Sequence, residues 1–149
     1  MRLVLANFLK NPTKFSVIAG NYRPQKLARV QTDGSFNSQI ARTAVILIDK
    51  KNEEHRLHTT YLNHQNSMES EVCSVLDGIQ YSIHKDEGSI ELENDCLGVV
   101  NNIIQRRAPK KSYLTDYYYE IFREILHLDY FGIRWIPREL NSADDLFRI

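Results

Sequence analysis

From Leu27 onward the chain switches between two hydrophobic periods. Leu27-Ala28-Arg29-Val30-Gln31-Thr32 reads as a strand, and Asp33-Gly34-Ser35 after it reads as a turn. Ala41-Arg42-Thr43-Ala44-Val45-Ile46-Leu47-Ile48 is apolar and β-branched, the composition of a well-buried strand. Asp49-Lys50-Lys51-Asn52 is a polar turn, and residues 54–62 are expected to pair back as a third strand of an antiparallel meander. The period then lengthens. Val72, Val75, Leu76, Ile79 and Ile83 recur at helical spacing, which predicts a helix from Ser67 or Met68 to about Glu87-Gly88. Ser89-Ile90-Glu91-Leu92-Glu93-Asn94 alternates like a strand, and Leu97, Val100, Ile103 and Ile104 form the next helical stripe, ended by Ala108-Pro109. A third helix is predicted over residues 112–128, burying Leu114, Tyr117, Tyr118, Ile121, Phe122, Ile125 and Leu126, with its tyrosines as packing residues. Residues 131–136 read as a final strand stopped by Pro137.

The order β-β-β-α-β-α-α-β predicts an α/β fold: a mixed five-stranded sheet with helices on both faces. With 149 residues the chain is long enough for one domain with a real core, expected over residues 27–149. Residues 1–26 form a basic leader that contains turn signals at Asn11-Pro12 and Arg23-Pro24 and a candidate short strand at Phe15–Ala19. The start of the leader has an apolar run, but Asn7 interrupts it and no small-residue cleavage site follows, so it is not read as a signal peptide. No apolar run approaches the roughly 18 residues of a membrane span, and no membrane association is expected. Cys73 and Cys96 belong to no Cys-x-x-Cys pair and read as reduced thiols of a cytoplasmic protein, too few for a zinc site.

Charge changes this picture in one respect. The net charge is zero, yet residues 1–32 carry six basic residues and no acid, and the rest of the chain carries the compensating excess of acids. Such asymmetry is read either as a polyanion-binding leader or as a solvated tail.

The acids of the body fall at telling places. Asp33 and Asp95 follow predicted strands, Glu71 sits in the first turn of the first helix, and Asp144 follows the last strand. Parallel strands present their C-terminal ends on one edge, where sites collect. Carboxylates gathered there stay ionised only if hard cations neutralise them, which makes Mg²⁺ or Mn²⁺ the natural guests. Taken singly, each acid is equally readable as a turn, cap or solvated residue.

Four segments resemble the type 1 ribonuclease H family. Thr32-Asp33-Gly34-Ser35 is similar to its opening T-D-G-S, and residues 71–79, starting Glu71-Val72-Cys73, to its E-x-x-A-L-x-x-G-L helix. Asp95-Cys96-Leu97-Gly98-Val99-Val100-Asn101-Asn102-Ile103 resembles its D-S-x-x-V-V-N-x-I junction, and Ile136-Pro137-Arg138 with Asn141 and Ala143-Asp144-Asp145-Leu146 its closing I-P-R-x-x-N…A-D-x-L. The resemblance covers roughly residues 27–149. It implies that Asp33, Glu71, Asp95 and Asp144 are catalytic ligands of two Mg²⁺ or Mn²⁺ ions. It also implies an endonuclease that hydrolyses the RNA strand of an RNA/DNA hybrid.

Glu71 is chosen over Glu69 because the other alignment places Asp77 on the apolar stripe, and Asp144 over Asp145 because it fits A-D-x-L. Candidate nucleic-acid contacts are Gly34, Ser35, Asn63, Asn66, Ser67, Arg106, Arg107, Lys110, Lys111 and Arg138. The chain departs from the family at Leu97, where many relatives carry a polar contact, and in the loop before Asp144, which has no His. Few residues follow Asp144, so the family's last helix is expected to be a stub. The chain is expected to act as a monomer. The readings left beside this one are a non-catalytic nucleic-acid-binding domain and another nuclease on the same fold, an exonuclease or one derived from a reverse transcriptase or transposase.

Overall fold

The hydrophobic pattern locates the central strands, and the computed structural model, which describes residues 15–110 and 112–148, adds one strand to the expected five. In chain order the elements are β1 (Phe15–Ala19), β2 (Ala28–Asn37), β3 (Ile40–Ile48), β4 (Glu54–Tyr61), α1 (Ser67–His84), β5 (Ser89–Asn94), α2 (Leu97–Ile104), α3 (Thr115–Ile125) and β6 (Tyr130–Trp135). Two 3₁₀ segments, Arg138–Leu140 and Ser142–Arg148, follow. The strands form one mixed sheet in the order β1-β6-β5-β2-β3-β4. Strands β2, β3 and β4 make the expected meander, β5 lies parallel to both β2 and β6, and β1 runs antiparallel to β6.

The added strand comes from the basic segment. Phe15 pairs with Arg134 and Ser16 with Ile133, so β1 covers the edge of β6 that a five-stranded sheet would leave open. Arg106 Nη2 donates to the Ile18 carbonyl at 3.1 Å, and the Arg134 guanidinium lies 4.5 Å from the Phe15 ring centroid. The candidate short strand at Phe15–Ala19 forms with those bounds, but five residues are too few to show from the pattern alone that it joins the sheet.

A second correction concerns Asp33-Gly34-Ser35, which is not a turn. β2 continues through it, with Asp33 opposite Ala44, Gly34 opposite Thr43 and Ser35 opposite Arg42. The chain reverses instead at Ser38-Gln39, both with positive φ (52° and 67°), as a two-residue primed hairpin requires. Ser-Gln lacks the glycine that usually marks such a turn.

The three α-helices cover one face of the sheet and the Ser142–Arg148 segment covers part of the other. Under the helices, Val30, Leu47, Val75, Ile79, Leu92 and Phe131 belong to one apolar core. On the opposite face Ala44 and Ile46 pack with Ala143 and Leu146. The third helix is shorter than its apolar stripe predicts: α3 ends at Ile125, Leu126 is 82% exposed, and Leu128 turns back into the core. Of the tyrosines, Tyr118 is buried and accepts from Asn102 Nδ2 at 3.1 Å, whereas Tyr113 and Tyr119 are exposed.

Two glycines set how closely α1 approaches the sheet. A Cβ on Gly34 would stand 2.3 Å from the Ser70 carbonyl group, and one on Gly78 would stand 2.4 Å from Thr32 Cγ2. Any side chain at either place would push α1 away from β2, and with it the residues of its first turn.

The face opposite the α-helices also buries charge. Glu91 accepts from Arg23 Nε at 2.8 Å and from the Tyr130 hydroxyl at 2.9 Å. Glu93 accepts from Gln31 Nε2 at 2.9 Å and pairs with Arg29 and Arg134 at 3.3 and 3.4 Å. Arg23 and Arg29, two of the six basic residues before Asp33, are therefore engaged inside the domain.

Candidate metal centre

In the parallel ladder Thr32 pairs with Asn94, so the next residue of each chain segment, Asp33 and Asp95, stand side by side where β5 ends. Glu71 reaches the same rim from the start of α1, brought close by the two glycines. Asp33, Glu71 and Asp95 offer carboxylate oxygens that all lie within 4.8 Å of one another. Asp144 comes from the Ser142–Arg148 segment. Its side chain is largely buried, its charge acts on both Asp33 and Asp95, and its Oδ1 lies 3.8 Å from Arg138 Nη2. The four acids thus share one rim.

This grouping is electrostatically costly. Burial, and then the negative charge of Asp95, push the Asp33 carboxyl well above the ordinary carboxylate range. Burial and then the charges of Asp33 and Asp95 push Glu71 up as well. Asp95 is raised by burial, against the opposing pull of the Asn141 amide and the Arg138 charge. The Gly34 N–H donates to Asp33 Oδ1 at 3.0 Å. Glu71 Oε2 is buried and no donor reaches it. The carboxyls beside it can hydrogen-bond to it only when one of the acids is protonated.

The donor set is therefore oxygen only, rich in charge, and contains a buried oxygen without a proton donor. Those features fit a hard divalent cation such as Mg²⁺ or Mn²⁺, and no imidazole or thiolate in the cluster favours a softer metal.

A family model described as "Reverse transcriptase-like" matches residues 31–147, which include all four acids. The chain belongs to the reverse transcriptase-like family. Its fold is that of ribonuclease H. A type 1 ribonuclease H from the halophilic archaeon Halobacterium salinarum superposes with a TM-score of 0.72 at 15% identity, covering 80% of this chain and 92% of that one. The N-terminal ribonuclease H domain of a Mycobacterium tuberculosis protein gives a TM-score of 0.67 at 16% identity, covering 82% and 91%. A type 1 ribonuclease H isolated from compost, solved in complex with an RNA/DNA hybrid, gives 0.69 at 18%, covering 80% and 92%. A search of curated protein sequences finds no match.

In this reverse transcriptase-like chain the other sequence-predicted residues are more scattered. Glu69, the rival of Glu71, is buried away from the rim; its Oε1 accepts from the Gln65 N–H and its Oε2 from the Tyr117 hydroxyl, each at 2.7 Å. Asp77, expected off the apolar stripe when Glu71 is the motif acid, instead turns toward the sheet. It is accommodated there as an acceptor from the hydroxyls of Thr43 at 2.6 Å and Tyr61 at 2.8 Å. Asp145, the rival of Asp144, is exposed and lines a cleft of about 410 Å³ with Arg138, Asn141, Ser142 and Asp144.

Among the candidate nucleic-acid contacts, Gly34 is packed under the Ser70–Glu71 backbone and Ser35 borders a hollow with Arg42 and Phe147. Asn63 and Ser67 are exposed beside the start of α1. Asn66 caps α1 by accepting from the Glu69 N–H at 3.1 Å, and its amide donates to the Tyr113 hydroxyl. Arg106 holds β1, Arg107 donates to Gln105 Oε1 at 2.7 Å, and Lys110 is exposed. Lys111 lies outside the described residues. Arg138 is 77% exposed at the rim itself.

Sequence reasoning did not single out Asn94 and Asn141, two buried amides that meet at the Thr32 carbonyl. Asn141 stood in the closing motif, but an isolated Asn in a loop gives no sign that its amide reaches the sheet.

Proposed function

We propose that this chain is a ribonuclease H, a metal-dependent endonuclease that hydrolyses the RNA strand of RNA/DNA hybrids with two divalent ions. The observation that carries this reading is the Asp33–Glu71–Asp95 cluster. Its carboxylates lie within 4.8 Å of one another, one buried oxygen lacks a donor, and no Lys or Arg among the described residues forms a salt bridge with any of the three. Likeness in fold to a ribonuclease H solved with an RNA/DNA hybrid supports the choice of substrate.

Asp33, Glu71, Asp95 and Asp144 would hold the ions. Bound divalent ions lower the pKa of an attacking water and neutralise charge on a leaving 3′-oxygen. No nucleophile from the chain is needed for this reaction. Arg138, exposed beside Asp144, would meet a phosphate. Asn63 and Ser67, exposed near the start of α1, would meet the groove side of the duplex, where the 2′-hydroxyl distinguishes RNA from DNA. Arg107, Lys110 and Lys111 would contact phosphates further along.

A panel of labelled RNA/DNA hybrid, double-stranded RNA and single strands, each with Mg²⁺, Mn²⁺ or EDTA, tests this reading. The expected result is cleavage of the RNA strand of the hybrid, with 5′-phosphate and 3′-hydroxyl ends, in metal only. Full activity in EDTA, or preference for another substrate, would contradict it.

A further inference from the structure

We infer that Asn141 is a positioning residue that locks together the three segments carrying Asp33, Asp95 and Asp144. The inference rests on the metal-centre reading above and adds a residue to it.

A carboxamide has two N–H donors and one carbonyl acceptor, and Asn141 uses all of them. Its Nδ2 donates to the Thr32 carbonyl at 2.9 Å and to Asp95 Oδ2 at 3.4 Å, while its Oδ1 accepts from the Ala143 N–H at 3.1 Å. Thr32 directly precedes Asp33, and Ala143 directly precedes Asp144. One side chain, 4% exposed, therefore touches the backbone next to two acids and the carboxylate of a third. The Ala143 donor also fixes which end of the amide is oxygen, because an NH₂ group cannot accept it.

The arrangement follows from where the sheet stops. β5 ends at Asn94, so beyond it the Thr32 carbonyl is bonded by side chains: Asn94 Nδ2 at 3.1 Å from one segment and Asn141 Nδ2 from another. Asn94 would satisfy that carbonyl without help. The contact that Asn141 adds is a hydrogen bond from the Asp144 segment to Asp95. Its N–H orients Asp95 Oδ2 without adding positive charge, so Asp95 keeps its full attraction for a cation.

A neighbouring side chain supplies the control. Gln31 anchors the same segment: its Nε2 donates to the Leu140 carbonyl at 3.3 Å and its Oε1 accepts from the Ser142 N–H at 2.9 Å, yet it bonds to none of the rim acids. A purely structural role for Asn141 would make Asn141→Ala and Gln31→Ala equivalent.

The test is Mn²⁺ titration by calorimetry of the full chain as wild type, Asn141→Ala, Asn141→Asp and Gln31→Ala, with folding checked by thermal melting. It is paired with NMR of the Asp33, Asp95 and Asp144 carboxyl carbons in EDTA. Asn141→Ala should weaken Mn²⁺ binding about tenfold. Asn141→Asp, which sets a charged oxygen against Asp95 and the Thr32 carbonyl, should weaken it further. Gln31→Ala should bind as wild type. In EDTA the Asp95 and Asp144 signals should move in Asn141→Ala and stay in Gln31→Ala. Unchanged binding and unchanged signals in Asn141→Ala, or equal losses in Gln31→Ala, would overturn the inference. If the wild type binds no Mn²⁺, the metal-centre reading fails instead, and the metal-free spectra still decide the role of Asn141. Should Asn141→Asp not fold, Asn141→Ser, which retains a small polar group, takes its place.

Discussion

Two groups of buried acids lie on this sheet, and they are treated in opposite ways. Glu91 and Glu93 are 5% and 3% exposed, and each faces basic and hydrogen-bonding partners: Arg23 and Tyr130 for the first, Arg29, Gln31 and Arg134 for the second. Asp33 is buried to the same degree, at 4% exposed, but its neighbours are other acids. A buried charge normally requires a partner, because desolvation costs several kcal/mol per ion. The fold supplies salt-bridge partners from its own sequence to the glutamates, whereas among the described residues Asp33, Glu71 and Asp95 have none, only hydrogen bonds such as those from the Gly34 N–H and the Asn141 amide. The chain thus neutralises buried carboxylates at Glu91 and Glu93 and not at the rim, which is the contrast expected if the rim acids hold a cation as proposed above.

The largest expected effect comes from removing a rim charge. Asp33→Asn or Asp95→Asn should lower hybrid cleavage at least about a thousandfold, or about 4 kcal/mol in the barrier. In EDTA the same variants should melt at or above the wild-type temperature, because a buried repulsion has been removed. Lower stability would place these acids among the structural pairs instead.

Metal itself comes next. Mg²⁺ or Mn²⁺ at about 100 times its Kd should stabilise the wild type by about 2.7 kcal/mol, read as a rise in Tm, and Asp33→Asn should lose most of that rise.

The glutamates should behave in the reverse sense. Glu93→Gln leaves Arg134 and Arg29 without their shared acid, so stability should fall by about 2 kcal/mol in thermal or denaturant melts, while metal binding changes little.

The pH dependence sharpens the same distinction. The rim acids are raised above their unfolded values, so the metal-free folded state holds protons that the unfolded chain has lost. Their contribution to stability is present below about pH 4, the unfolded range, and declines as pH rises toward and beyond neutrality. Metal binds the deprotonated form, so its stabilising effect should grow over the same interval, and a metal-induced Tm shift larger at pH 5 than at pH 8 would contradict the assignment. The smallest effect is expected at the exposed basic turn: Lys110→Ala should reduce the slope of log K against log salt for hybrid binding by about 0.7–0.9 if it contacts one phosphate.

The sequence made most of the helices and central strands legible because their apolar periods are long and regular. Ile79 and Val75 report α1 wherever its ends fall, and Leu92 between two glutamates reports β5. Three things escaped. β1 is a five-residue edge strand whose membership depends on β6, far along the chain. The Ser38-Gln39 hairpin has no glycine, so the turn was sought at Asp-Gly, where the glycine in fact serves a close helix–strand contact. Arg23 and Arg29 were counted in the basic stretch of residues 1–32, read as polyanion-binding or solvated, yet their partners Glu91 and Glu93 sit on a strand more than sixty residues away. At the rim, the parallel register that sets Asp33 beside Asp95 followed from the element order. Contacts made by single side chains, such as those of Asn141, leave no trace in a hydrophobic pattern.

If the rim acids form the proposed metal centre, divalent cations should bind there and at no other cluster among the described residues. Asp49, Glu53 and His55 form the other group of close ligand atoms among the described residues, so calorimetric titration of Mn²⁺ into wild type, Asp33→Asn and Asp49→Asn tests it most directly. The account predicts binding in the wild type, its loss in Asp33→Asn and its retention in Asp49→Asn. Unchanged binding in Asp33→Asn, or no binding in the wild type, would contradict it.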